Sequence, residues 1–181
     1  MRRALIAVLA TMLVAATAHS ALAAQKTVLL PFDLVLQKKE EDFFIGAGKP
    51  SPAEQARLKA INEELAKILS NDGVHELIDT TSIAKEIEDA APFVDCNGCE
   101  VDIAKKLNGE VLYTGLVDKA SETLLNMRIM EIDVASGKLK RAGNVVIQGN
   151  TDEAWLRGVR WLMKNKLSAA DAGSGKSEAA P

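Results

Sequence analysis

EVLYTGLVD at 110–118, TLLNMRIMEIDV at 123–134 and LKRAGNVVIQ at 139–148 are three strand-like runs in immediate succession. Each is rich in β-branched and aliphatic residues and is bounded by polar residues or glycine. Ser136-Gly137 between the last two predicts a hairpin turn. In the middle run the apolar phase changes, from Leu125, Met127 and Ile129 to Met130, Ile132 and Val134. Successive strand residues face opposite ways, so the change predicts a bulge, or helices that cover only part of each face.

Upstream, Thr27 to Leu36 (TVLLPFDLVL) reads as a buried strand, apolar on both faces. Pro31 cannot donate to a ladder, so an edge or a bulge is expected there. Gln37 to Lys49 is polar and loop-like, with Phe43-Phe44-Ile45 in need of something to pack on. Ser51-Pro52-Ala53-Glu54 is a strong helix start: serine caps, proline suits the first turn, and Glu54 stands three after the cap. Leu58, Ile61, Leu65, Ile68 and Leu69 then form one apolar stripe, ended by Asn71-Asp72-Gly73. Val74 to Ile78 predicts a short strand, and Thr80 or Thr81 opens a short helix with Ile83 and Ile87 inward. After Ala91-Pro92 and Asp95-Cys96-Asn97-Gly98-Cys99-Glu100 comes a helix with Val101, Ala104 and Leu107 inward, closed by Asn108-Gly109.

Downstream, Asn150-Thr151-Asp152-Glu153 caps a last helix carrying Trp155, Val159, Leu162, Met163 and Leu167. The order β-α-β-α-α-β-β-β-α predicts an α/β domain of the α+β kind, a mixed sheet of about five strands with helices packed on it. One domain over residues 24–167 accommodates these elements. Residues 168–181 are small, polar and glycine-rich, and are expected to be disordered.

At the other end, Met1-Arg2-Arg3 precedes an apolar run from Ala4 to Ala18 that is short for a membrane span. Ala21-Leu22-Ala23 then offers small residues at −3 and −1. A secretory signal over residues 1–23, cleaved after Ala23, and a periplasmic location follow. Cleavage removes Arg2 and Arg3 and no acid, so the formal net charge moves from −3 to −5. An acidic chain without a basic run argues against nucleic acid or anionic membrane as partner. An aromatic content of 4% argues against a carbohydrate-stacking surface.

Cys96 and Cys99 are the only cysteines, and an oxidising compartment favours their pairing. One reading is a local disulfide that pins the following helix. The other is a redox couple, since a helix amino terminus stabilises a thiolate, although no thioredoxin-like aromatic segment precedes Cys96. A structural zinc site wants four ligands; His75 is the only histidine after residue 23, and the spacing of Asp95, Glu100 and Asp102 requires no metal. Glu100 stands where covalent haem attachment needs histidine. Asp152, Glu153, Trp155 and Arg157 form the second cluster. The acids complement the helix dipole and Trp155 packs on the sheet, or Trp155 and Arg157 form a partner-binding edge. His75 and Glu76, adjacent on a strand, point apart and cannot act as an acid–base pair. No phosphate loop, serine elbow or zinc-protease helix is present, and neither cofactor nor catalytic residue is expected.

Leu30-Pro31-Phe32-Asp33, Leu77-Ile78-Asp79-Thr80, Cys96-Asn97-Gly98-Cys99 and the Asp-Glu-x-Trp-x-Arg-Gly pattern at 152–158 resemble an uncharacterised family of bacterial periplasmic proteins, a domain of unknown function. The resemblance spans most of the chain after residue 23. More distantly, the strand at Leu30-Pro31-Phe32, the strand at 111–117 and the hairpin Asp133–Gly137 are similar to the amino-terminal domain of TolB and to curli secretion lipoproteins. These resemblances imply a fold and a compartment, and no reaction. The resulting expectation is a non-enzymatic accessory module with an envelope protein partner. A thiol–disulfide protein and a small-ligand or metal-binding protein stand as the alternatives.

Overall fold

The computed structural model describes residues 23–36 and 50–168. The expected leader up to residue 22, the Phe43-Phe44-Ile45 cluster and the tail from 169 onward lie outside the described residues. In chain order, β1 is Gln25–Leu29, β2 Asp33–Leu36, α1 Pro52–Ser70, β3 His75–Leu77, α2 Ala84–Ala90 and α3 Cys99–Lys106. They are followed by β4 Val111–Lys119, β5 Leu124–Asp133, β6 Lys138–Gln148 and α4 Asp152–Asn165.

The six strands form one mixed sheet in the order β3-β1-β4-β5-β6, with β2 also paired to β4. The pairs β1–β3, β1–β4 and β2–β4 are parallel, and β4–β5–β6 is an antiparallel meander. The architecture is thus α+β, with six strands where about five were expected, because the run 27–36 divides at Pro31. Leu29 pairs with Tyr113 and Asp33 with Leu116, so one strand advances four residues while β4 advances three. That extra residue is a bulge. Leu30 still donates to the Tyr113 carbonyl (3.0 Å), whereas the Phe32 N–H turns to Asn62 Oδ1 on α1 (3.2 Å). Pro31, exposed between them, has no N–H to satisfy. The bulge swings Phe32 over Gly115, where a β-carbon would overlap its ring.

Helix α1 begins with a full capping box: Glu54 N–H donates to Ser51 Oγ and Ser51 N–H to Glu54 Oε2. Its stripe buries Ile61, Leu65 and Leu69 completely, with Leu58 and Ile68 partly covered. Helix α4 adds Trp155, Val159 and Leu162 to the same core, against Tyr113, Val117, Leu125, Met127 and Ile129 of the sheet. Each large apolar side chain so buried contributes roughly 1.5–3 kcal/mol. Residues of the opposite strand parity (Val28, Leu30, Leu112 and Ile132) form a second core with Ile87 of α2 and Val101, Ile103 and Ala104 of α3.

Two separate cores explain the phase change in β5. The β4–β5 register runs unbroken from Val111↔Asp133 to Lys119↔Leu125, so β5 contains no bulge against β4. Instead α1 and α4 cover one face along Leu125–Ile129, and α3 covers the other near Ile132 and Val134. The irregularity falls on β6: Glu131 pairs with Arg141 and Ile132 with Leu139, leaving Lys140 as the extra residue. At the end of α3 the left-handed residue is Asn108 (φ 55°) rather than Gly109. Asparagine tolerates that conformation. Gly109, with ordinary φ, serves instead to admit Val28, which a β-carbon there would crowd.

Candidate functional site

The first candidate lies on the second-core side of the sheet. Asp33 opens β2 and its Oδ2 accepts the Val94 N–H (2.8 Å), holding the turn Phe93–Asp95 against the sheet. The chain then reaches Cys96, passes Gly98 at φ 93°, and enters α3 at Cys99. A positive φ of this size is comfortable for glycine alone. Cys96 and Cys99 form a disulfide, with α-carbons 5.7 Å apart. Both are half-buried and pack on the second core. Glu100 Oε2 lies 3.2 Å from Cys96 Sγ. A disulfide sulfur carries no proton, so this is a contact and not a hydrogen bond.

Acidic groups dominate around the pair. Burial pushes the Asp33 carboxyl above its usual range; the N–H groups of Val94 and Phe93 oppose this, and the charges of Asp95 and Glu100 add to it. Glu100 and Asp102 occupy the first turn of α3. They complement the dipole, and they offset the help that a helix amino terminus gives a thiolate. Among the described residues, Cys96, Cys99 and Glu100 form a group close enough to share an ion. With both sulfurs in the disulfide only Glu100 remains, and even the reduced set is one ligand short of a structural zinc site. His75 is remote from it: its Nδ1 is 2.6 Å from Asp72 Oδ2 and its ring meets Tyr113 edge-on. His75 is buried and Glu76 exposed, on opposite faces of β3.

The second candidate is α4 and its surroundings. Trp155 is completely buried, and its indole N–H donates to Asn150 Oδ1 (3.0 Å). Arg57 donates to the same oxygen and pairs with Asp152 at 2.7 Å. Trp155 is a core residue packed on the sheet, the first of its two expected roles, and offers no surface for the second, a place on a binding edge. Arg157 is exposed, 3.6 Å from Glu153 one turn away; such a pair contributes only about 0.3–0.5 kcal/mol. The structure therefore separates the two residues.

A different tryptophan stands beside Arg157. Trp161 is 43% exposed, one turn further along α4. Together with Ala154 and Gly158 it forms one wall of an open hollow of about 350 Å³; Val145 to Gln148 of β6 form the other. Gly158 brings the helix down onto Ile147, which a β-carbon would strike at 2.9 Å. β6 ends the sheet, so among the described residues its outer side has no strand partner. Val146 is 57% exposed on that strand. A signal for Trp161 existed: on the helical wheel it falls off the stripe of Trp155, Val159, Leu162 and Met163, and an apolar side chain off the buried stripe has nothing within the helix's own core to cover it.

Residues 25–167 match the family described as "Protein of unknown function (DUF2380)". The chain belongs to that family. No curated protein matches it in sequence. Among solved structures, this family member is similar to the C-terminal domain of LpoB from Salmonella enterica, at 15% identity and TM-score 0.48, over 72% of this chain and 87% of that one. It is similar also to lipoprotein GNA1162 from Neisseria meningitidis, at 11% identity and TM-score 0.48, over 70% of this chain and 82% of that one. TolB from Acinetobacter baumannii shows 10% identity and TM-score 0.42, over 71% of this chain and 24% of that one. Likenesses of this degree carry nothing about activity or partner. Among the described residues no helix is long and apolar enough to cross a membrane.

Proposed function

We propose that this chain is a non-enzymatic interaction module of the bacterial envelope, exported by cleavage after Ala23, which binds a protein partner along the outer edge of β6. One observation carries the reading: an eleven-residue edge strand lies beside an exposed Trp161 and Arg157. Open edges are ordinarily blunted by charge, proline or bulges. Here the Lys140 bulge and the cations Lys138, Lys140 and Arg141 protect the first part of β6, while Ala142 to Gln148 carries neither charge nor proline. Strand addition uses such an edge, with backbone hydrogen bonds giving affinity and flanking side chains giving selectivity. Tryptophan and arginine are the residue types most often found at binding hot spots. In this reading the Cys96–Cys99 bond is a structural pin at the entry to α3.

The test is photo-crosslinking in the periplasm from a reactive residue at Val146 or Trp161, with exposed Lys85 on α2 as the control position. Discrete adducts from the edge positions alone are expected. No adducts, or the same adducts from Lys85, would sink the reading. A second reading, a thiol–disulfide protein, is favoured by one observation, the place of Cys99 as first residue of α3. Trapping of a mixed disulfide by a Cys99→Ser variant would establish it.

A further inference from the structure

We infer that the partner segment received by the β6 edge is an acidic, extended peptide; this rests on the edge-binding reading and adds the chemistry of the occupant. The chain as a whole is acidic, with 25 carboxylates against 22 cations. Charge is nonetheless sharply segregated within it. β6 carries Lys138, Lys140 and Arg141 without a single carboxylate, and residues 157–166 carry Arg157, Arg160, Lys164 and Lys166, again with none.

Where these cations point decides which of them a segment on the edge would meet. Arg141 turns inward to Glu131, and Arg160 turns away to Glu64 on α1. Lys164 lines a separate hollow with Arg160 and Asp72, on the α1 side of α4. Arg157 is beside the β6 groove, and the Lys166 stem lies against Gly143, where a β-carbon would meet it. Lys138, exposed at the start of β6, has no carboxylate within ion-pair distance among the described residues, and neither has Lys166. Cations thus line the edge along its length, Lys138 at the start of β6, Lys166 beside its middle at Gly143, and Arg157 beside its last residues. Trp161 supplies apolar contact beside Arg157 on the α4 face, and exposed Val146, between the inward Val145 and Ile147, supplies it on the other face.

This arrangement selects among occupants. A second copy pairing edge to edge would set these cations against one another, a like-charge juxtaposition that disfavours association. A phosphate-bearing surface would satisfy the cations and leave the strand's outer N–H and C=O groups with water. An acidic peptide in extended form matches both features, its backbone completing the ladder and its carboxylates meeting the flanking cations. Alternation of acidic with apolar residues would place carboxylates and an apolar anchor on opposite faces of the added strand.

The experiment is selection of a displayed random dodecapeptide library on the protein lacking residues 1–23, followed by anisotropy titration of the enriched peptides. Asp and Glu are expected to be enriched, interleaved with apolar residues. Affinity should fall at least about tenfold in an Arg157→Glu, Lys138→Glu variant, and should weaken as salt rises from about 50 to about 500 mM. Both positions are exposed, and an unchanged melting curve verifies the fold. Methylation of alternate backbone nitrogens in the best peptide should abolish binding. Enrichment of neutral or basic peptides overturns the inference, as does indifference to the charge reversals or the absence of any edge-dependent binder. So do self-association lost on the same reversals, and binding to phosphatidylglycerol vesicles in place of peptides. Edge crosslinks from Val146 without acidic enrichment would sink the acidic occupant and leave the interaction module standing; absence of crosslinks would remove both.

Discussion

Tyr113 and Glu131 stand directly opposite one another on β4 and β5, and the buried phenol donates to Glu131 Oε2 across 3.1 Å. The bulge at Lys140 completes this cluster. Consecutive strand residues normally point apart, yet Lys140 reaches Glu131 Oε1 at 2.9 Å and Arg141 Nε reaches Oε2 at 2.6 Å. A bulge re-aims side chains in this way. Arg141 also donates to the Ser168 carbonyl at 2.6 Å, which ties down the chain just after α4.

Burial alone would raise the Glu131 carboxyl, but the Lys140 hydrogen bond and the Arg141 charge outweigh it and hold the group below its ordinary value. Replacing it leaves a largely buried guanidinium without its counter-charge. Glu131→Gln should therefore cost about 3 kcal/mol of unfolding free energy at neutral pH. Tyr113→Phe removes one donor and leaves both cations in place, so about 1 kcal/mol is expected. Urea unfolding of the two variants checks the order; equal losses would show that the ion cluster contributes nothing beyond a hydrogen bond.

Glu54 sets the acid limb. Burial would raise it, but the hydrogen bonds from Lys119 (2.8 Å) and Ser51 outweigh this and lower its carboxyl from 4.5 to about 2. A group depressed on folding stabilises the native state fully above its unfolded value, and the gain disappears as pH falls through the folded one. Up to about 3 kcal/mol should thus be lost between about pH 4.5 and pH 2. A Glu54→Gln variant should be less stable at neutral pH and show a shallower decline over that window. Parallel stability curves for the two proteins would refute the assignment.

Gly115 is required by its neighbour. Gly115→Ala places a methyl where the Phe32 ring lies, and overpacking of this kind costs about 1–3 kcal/mol. Combining it with Phe32→Leu, which vacates part of that volume, should cost less than the sum of the single changes. A double-mutant cycle on unfolding midpoints measures the coupling, and strict additivity would show that the two residues do not meet in solution.

The disulfide is expected to act as a local pin. The Cys96→Ser, Cys99→Ser double variant should lose about 2 kcal/mol, the chain-entropy value for so short a loop. The Glu100 carboxylate, 3.2 Å from Cys96 Sγ, should repel an attacking anionic thiolate and disfavour a departing one. Glu100→Gln is therefore expected to hasten reduction by glutathione a few-fold at low salt, followed by thiol labelling against time. Unaltered stability in the double variant would leave the bond without a structural role.

Several elements were determined by the sequence alone, because their causes lie within a few residues of one another. Ser51 and Glu54 close a capping box three positions apart, and Pro31 interrupts its own ladder wherever that strand sits. Cys96 and Cys99 are within bonding reach across three positions, and the hairpin around Ser136-Gly137 joins two runs already in register to meet. The tertiary structure decided what depends on distant partners. The run 27–36 became two strands because β4 takes up both halves across a bulge. Cation pairs, tight glycines and the inverted phase of β5 depend on which helix lies over which end of the sheet. The two tryptophans show the division most clearly. Helical periodicity places Trp155 and Trp161 on different sides of α4, but only packing against α1 and the sheet buries the first to completion and leaves the second at an open edge. Burial is a property of the packed pair of surfaces and not of the helix, so the residue best placed to meet a partner became visible only with the fold.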